Sequence, residues 1–389
     1  NPTYSEILNI STEWQRLDVT KVNNSGTSVR AYIRTINAGD EVEVWGAQLQ
    51  EGSAATDYIP TGATISGAPR FDHDPVTLES LGLLIEEERT NVTRPSDFSS
   101  LWFYTGSGDG IIQTAYGLAP DGSTSSIYLQ PNSAARVLRN TSGSGITAGT
   151  YTVSLFYKGD KPISVAGPGA NEGLTDVANY GNGWKRAAST LTFTGGGYLD
   201  ITVLSGTSVE LWGIQAELGS FPTSYIPTSG SAVTRAADLA SITGTNFSSW
   251  YNQSEGTVFV EDKVQALDGF PMAWVLQNTT NTIDGSVSNY LNSSGNWVMD
   301  SRNNGGDFDL SLPNVSGLFV KRAFGLKNND LAYSLNGLIT TTGTGNITSS
   351  TSVLYIGQRP PTYNYNGHIS RLTYYPYRLA DATLQEITS

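Results

Sequence analysis

Short runs of alternating and β-branched residues dominate the hydrophobic pattern of this chain. Tyr151–Tyr157 (YTVSLFY) is rich in β-branched and aromatic residues. Tyr198–Leu204 (YLDITVL) puts Leu199, Ile201 and Val203 on one face. Val209–Ile214, Thr257–Val260, Val353–Ile356 and Ile369–Tyr375 read the same way. Such residues fit a pleated, half-buried surface, and each run is bounded by Gly, Asn, Ser or Pro clusters that suit turns.

The clearest hairpin is Leu331–Leu335, Asn336-Gly337, Leu338–Thr342. Asn-Gly supplies the two positive φ angles that a type I′ turn requires. Long stretches with 3.6-residue periodicity are absent. A short helix is expected from Asp381, which can serve as N-cap and would turn Leu384 and Ile387 inward. Many short strands separated by turns imply an all-β chain of antiparallel β-sandwich or jelly-roll domains.

One module occurs twice. Residues 42–61 read VEVWGAQLQEGSAATDYIPT, and residues 209–228 read VELWGIQAELGSFPTSYIPT. The offset is constant (212 − 45 = 167 and 225 − 58 = 167), and twelve of the twenty positions match. Trp45/Trp212, Gly46/Gly213, Gln48/Gln215, Gly52/Gly219 and the Tyr-Ile-Pro-Thr endings are among them. Upstream, Trp14-Gln15-Arg16 mirrors Trp184-Lys185-Arg186. The second copy has about a hundred residues ahead of Trp184, whereas thirteen precede Trp14, so the first copy is read as the C-terminal half of a module. A half-sandwich leaves strand edges and core open, so the missing strands are expected from further sequence or a partner chain. The expected organisation is a half-module over 1–61, a linker over 62–95, a jelly roll over 96–228, a linker over 229–250 and a last sandwich over 251–389.

Three segments carry a family resemblance. Gly67-Ala68-Pro69-Arg70-Phe71-Asp72, followed by Gly82-Leu83-Leu84-Ile85-Glu86-Glu87 and Arg89-Thr90-Asn91, resembles a signature of bacteriophage tail-fibre and head-fibre (spike) proteins. The repeat ending with Thr234-Arg235-Ala236-Ala237-Asp238 is similar to the carbohydrate-binding-module-like jelly roll that accompanies it. Leu354-Tyr355-Ile356-Gly357, Gly367-His368-Ile369-Ser370-Arg371-Leu372 and Arg378-Leu379-Ala380-Asp381 resemble a concanavalin A-like lectin/glucanase (LamG-like) domain. The resemblance implies a virion component, commonly a trimer, that contacts host surface polysaccharide and other virion proteins. That lectin-like fold also hosts hydrolases and pure scaffolds, so the fold alone does not decide the activity.

Composition narrows the function classes. Charged residues are 15% of the chain, against about 25% in an average soluble protein. Glycine is abundant at 42 residues and tyrosine leads the aromatics at 20. The net charge of −13 disfavours nucleic acid and anionic membrane surfaces. No stretch reaches the ~18 apolar residues of a membrane-spanning helix. The chain has no Cys and only His73 and His368, which rules out a thiolate or His-rich metal site. Two oxygen-rich segments, Asn278–Asn289 with Asp284 and Asn328-Asn329-Asp330, leave calcium open, but neither has the ligand density of a dedicated site. No cofactor is expected.

Catalysis would need paired carboxylates. Glu261-Asp262 point to opposite faces of a strand, Asp307-Phe308-Asp309 lies in a Gly/Asn-rich stretch, and Glu86–Glu88 reads as a solvated charge run. Hydrolysis of glycan is therefore not expected; a purely structural fibre or decoration protein that binds other virion proteins is the alternative, and a polysaccharide depolymerase the second alternative. His368 suits a structural hydrogen bond and His73 a turn. The repeated Trp45, Trp212, Trp14 and Trp184 suit core, whereas Trp102 and Tyr104, ahead of a Gly-rich turn, suit either core or a binding rim, with core favoured. The expected glycan rim lies on two loops of the last domain, with Trp297, Asp300 and Arg302 on one and Arg359, Tyr363 and Tyr365 on the other. Aromatic rings there would stack on sugars while charged groups bind hydroxyls.

Overall fold

The computed structural model describes residues 69–98, 102–105, 110–140, 145–162, 164–265, 270–278, 286–302, 308–313, 319–347, 350–359 and 363–389. The half-module over 1–61, Asp284, Asn303 and Asp307 lie outside the described residues. Pro69–Ser389 is one unit built from two antiparallel β-sandwiches.

The first sandwich packs a five-stranded sheet against a six-stranded one. The five-stranded sheet runs Ala170–Gly173, Ser164–Gly167, Leu199–Val203, Arg136–Asn140, Trp102–Thr105. The six-stranded sheet runs Thr175–Asn179, Trp184–Phe193, Gly149–Gly159, Val209–Leu218, Ile127–Pro131, Gly110–Gln113. Alternation selects what is buried: Leu199, Ile201 and Val203 turn inward to meet Val153, Leu155 and Leu191. Trp102 and Tyr104 pack against this core. Trp184 and Trp212 are buried as well, with Phe156 and Ala119 in a smaller cluster of their own. Their indole N–H groups donate to the Leu118 carbonyl (3.1 Å) and the Ser125 hydroxyl (2.9 Å). The repeated Trp-Gly pair has a steric reason. Gly213 adopts φ 61°, and a Cβ there would lie 2.8 Å from the Phe156 ring.

The second sandwich packs a seven-stranded sheet against a six-stranded one. The seven-stranded sheet runs Arg70–His73, Ser80–Ile85, Gly367–Tyr375, Glu255–Val264, Val320–Lys327, Leu331–Leu335, Leu338–Gly343. Its partner runs Ala240–Thr243, Val353–Ile356, Met272–Gln277, Ser286–Leu291, Asn296–Arg302, Phe308–Pro313. The Asn-Gly hairpin forms as expected, with φ 46° at Asn336 and 78° at Gly337. The terminal helix spans Asp381–Thr388 and buries Leu384. Its N-cap is Ala380 rather than Asp381, whose carboxylate pairs with Arg378 at 2.6 Å.

Both expected linkers contribute strands. Within 62–95, Arg70–His73 and Ser80–Ile85 extend the seven-stranded sheet, where Leu83 pairs with Ile369. Within 229–250, Ala240–Thr243 pairs with Val353–Ile356, and Phe247 is fully buried in the second core. The apolar Leu83, Leu84 and Ile85 explain this. A run with that much burial free energy, at about 25 cal/mol per Å² of apolar surface, does not stay in water as a tether.

Within the acidic run Glu86–Glu88, Glu88 is exposed as expected and Glu87 is half-buried, but Glu86 departs from the solvated reading. Glu86 is 2% exposed and sits where the two sandwiches meet. Its carboxylate pairs with Arg70 (2.8 Å) and Arg235 (3.2 Å) and accepts hydrogen bonds from the Ser224 backbone N–H (2.7 Å) and hydroxyl (2.6 Å). Asp238 pairs with Arg70 and accepts from the Glu86 backbone N–H at 2.8 Å. Each arginine follows a Tyr-Ile-Pro-Thr ending, Arg70 after Thr61 and Arg235 after Thr228. The segments trailing the two repeat copies thus converge on one buried glutamate. His368 joins the same region by a 2.8 Å bond from Nε2 to Asp72, and His73 is exposed.

Candidate functional site

The six residues expected on a glycan rim do not form one surface. Trp297 stands in the strand Asn296–Arg302, 1% exposed, and Tyr365 is fully buried. Both belong to the second core. The rim placement is corrected for these two, and the reason is electrostatic. Arg322 lies fully buried between the sheets, its guanidinium 3.5 Å from the centre of the Trp297 ring and bonded to Asp262. Tyr365 donates its hydroxyl to Asp262 at 2.5 Å. Burial pushes the Asp262 carboxyl up, against the pull of Arg322 and Tyr365. The aromatic rings are the walls of an internal ion pair.

The other four are split. Asp300 alternates with the inward residues Trp297 and Met299, which places it on the outer face of its sheet, and Arg302 ends the same strand. Asp300 is 4% exposed there, with Ser288 as its strand partner. Arg359 is 8% exposed and opposes Tyr363 in a two-stranded ribbon. Tyr363 is half-buried and meets Phe270, which in turn meets Tyr290, with ring centres 6.0 Å apart in both pairs. Of the carboxylates considered for catalysis, Asp262 faces inward and Glu261 is half-exposed on the opposite side. No group of three His, Cys, Asp or Glu able to hold a metal occurs among the described residues.

A better-formed recognition surface lies on the first sandwich. The outer face of its five-stranded sheet carries a row of strand partners: Phe103, Arg139, Asp200, Ala166, Asn171. Arg139 donates from Nε and Nη2 to the two oxygens of Asp200, at 2.7 and 2.6 Å. Its guanidinium lies 4.3 Å from the centre of the Tyr198 ring. The hydrogen bonds to Asp200 hold the Arg139 pKa above its ordinary value, even against partial burial. Phe103 is 43% exposed beside it. Thr202, Ser164 and Asn171 add half-buried or exposed hydroxyls and an amide. The face combines a flat apolar ring, an arginine fixed by two bonds and a stack, and neutral groups that both donate and accept.

This surface was missed in the sequence because its members are far apart: 139 − 103 = 36 positions between the phenylalanine and the arginine, and 61 between Arg139 and Asp200. A signal existed nevertheless. If Leu199, Ile201 and Val203 turn inward, Asp200 and Thr202 must turn outward, and the same alternation sets Phe103 against Trp102 and Tyr104.

No protein-family model matches the chain, and no curated protein matches its sequence. Several solved structures resemble part of it. The CBM40 module of Ruminococcus gnavus IT-sialidase is 19% identical over 39% of this chain and 93% of that one, with a TM-score of 0.34. An SAP-like pentraxin from Limulus polyphemus is 14% identical over 39% of this chain and 72% of its own, with a TM-score of 0.30. The NanB sialidase of Streptococcus pneumoniae is 14% identical over 39% of this chain and 27% of that enzyme, with a TM-score of 0.34. These likenesses concern fold alone.

Proposed function

We propose that this chain is a bacteriophage fibre or spike protein that adheres to host surface glycan through its β-sandwiches and performs no chemistry on the ligand. The observation that carries the reading is the outer face around Phe103, Arg139 and Asp200. Sugar rings present an apolar C–H face to an aromatic ring, while their hydroxyls need donors and acceptors already held in place. Single sites of this kind bind weakly. Several copies in a homo-oligomer, a trimer in this proposal, would gain avidity without any new contact. The chain's net charge of −13 fits neither nucleic acid nor an anionic membrane as partner.

A structural reading has its own support. The Glu86 cluster ties the two sandwiches together through half-buried arginines paired to one buried glutamate, which suits a stiff element that meets other virion proteins. Incubating the purified full chain with host cells and with their isolated polysaccharide separates the readings. Adhesion requires binding that soluble polysaccharide inhibits, with no new reducing ends. New reducing ends would establish a depolymerase instead. Absence of any binding would leave the scaffold role.

A further inference from the structure

The same face also has a charge pattern that bears on what it can hold. The five strands of its sheet contain four charged residues, Arg136, Arg139, Glu172 and Asp200, so the sheet is neutral (2 − 2 = 0) within a chain of net charge −13. Arg139 is the one cation among the described side chains of the outer face, and both of its bonds to Asp200 are made. An incoming carboxylate or sulfate would have to share Arg139 with Asp200, which sets a second anion beside a carboxylate that is only 7% exposed. Burying like charges together is costly, and no other described cation on the face offsets it. A sugar hydroxyl meets no such barrier. The remaining guanidinium N–H groups can donate to it while the Arg139–Asp200 pair stays intact, and Thr202, Ser164 and Asn171 offer both donors and acceptors.

The geometry also bears on length. Neighbouring strands lie about 4.8 Å apart, so the row from Phe103 to Asn171 crosses four intervals, about 19 Å. Both ends of the row are edge strands of this sheet. A row of that length suits a stretch of sugar chain better than a single terminal ring.

We propose that this face selects an uncharged glycan and binds an internal stretch of it across the strands, with Phe103 as the stacking platform and Arg139, fixed by Asp200 and Tyr198, as the hydroxyl reader. This deepens the adhesin reading and rests on it.

The test is a titration of the full chain with neutral oligomers of glucose, galactose, mannose and N-acetylhexosamine, beside sialyllactose and oligogalacturonate. Each titration is run at about 0.05 M and about 0.5 M salt, a range over which screening removes most of a surface charge attraction. The expected result is binding to a neutral oligomer that strengthens with chain length and is unchanged by salt. Phe103→Ala, an exposed position whose loss leaves the core intact, should weaken it roughly ten-fold or more. Asp200→Asn should weaken it too, and should let oligogalacturonate bind, because Arg139 is then released. Preference for the carboxylated sugars, with salt-sensitive affinity, would overturn the neutral-ligand proposal and leave the adhesin reading standing. Neutral binding that Phe103→Ala and Asp200→Asn leave untouched would overturn the site. Binding to neither class would overturn the adhesin reading and this proposal with it.

Discussion

Two buried charges, Glu86 and Arg322, show what single residues decide here. Desolvation alone would raise the Glu86 carboxyl, but Arg235, Arg70 and the Ser224 hydrogen bonds outweigh it and hold the group below its ordinary value of 4.5. The folded state therefore binds this proton less readily than the unfolded chain. The stabilisation is present above pH of about 4.5 and is lost as pH falls through the folded value. Glu86→Gln should leave Arg70 and Arg235 facing a neutral amide. Because Arg70 keeps Asp238 and both arginines are partly exposed, it should cost about 1–3 kcal/mol in urea unfolding and flatten the acid limb of the stability curve. Arg322→Met should cost more, ~3–5 kcal/mol, because Asp262 is left buried without its cation. The double variant Arg322→Met/Asp262→Leu should recover much of that loss, since replacing a whole buried pair by apolar groups is often neutral. A double variant as unstable as the single one would mean that Asp262 matters through Tyr365 rather than through Arg322.

At the scale of elements, strand positions were legible and strand partners were not. YLDITVL and YTVSLFY announce themselves by alternation and β-branching, and Asn336-Gly337 fixes its hairpin because few other residues tolerate those φ angles. Pairing between Ser80–Ile85 and Gly367–Tyr375 spans nearly the whole described chain, and no local pattern encodes it. The same limit explains the misplaced rim. Asn296-Trp297 beside polar residues reads as a loop until Arg322, distant in sequence, turns out to need an aromatic wall. Glycine was more informative. Gly219, repeated as Gly52, has φ 133°, and a Cβ there would sit 1.7 Å from the Arg89 guanidinium, which stacks over Phe221 at 4.6 Å. Gly219→Ala should therefore lower the melting temperature even though glycine has no side chain to pack. The domain boundary can be tested directly. A fragment of residues 251–389 lacks Ile85, Phe247 and the strand Ala240–Thr243, so it should aggregate or stay partly unfolded, whereas residues 69–389 should give a cooperative transition. Circular dichroism and size exclusion of the two fragments distinguish these outcomes. A cooperatively folded 251–389 would show that the added strands decorate the sandwich without completing it.

For the whole molecule, the two sandwiches divide the work in this account. The Glu86 cluster fixes one to the other, the second buries its charges inside, and the first presents the open polar-aromatic face. The sequence already pointed to glycan adhesion by β-sandwiches, but it looked for the surface in the domain that has aromatics on apparent loops. The most direct measurement is hydrogen exchange of the full chain with and without host surface polysaccharide. Binding at the outer face should slow exchange in Trp102–Thr105, Arg136–Asn140 and Leu199–Val203, with the core strands of the second sandwich unchanged. Protection confined to the ribbon around Tyr363, or absent from the five-stranded sheet while polysaccharide binds elsewhere, would contradict it.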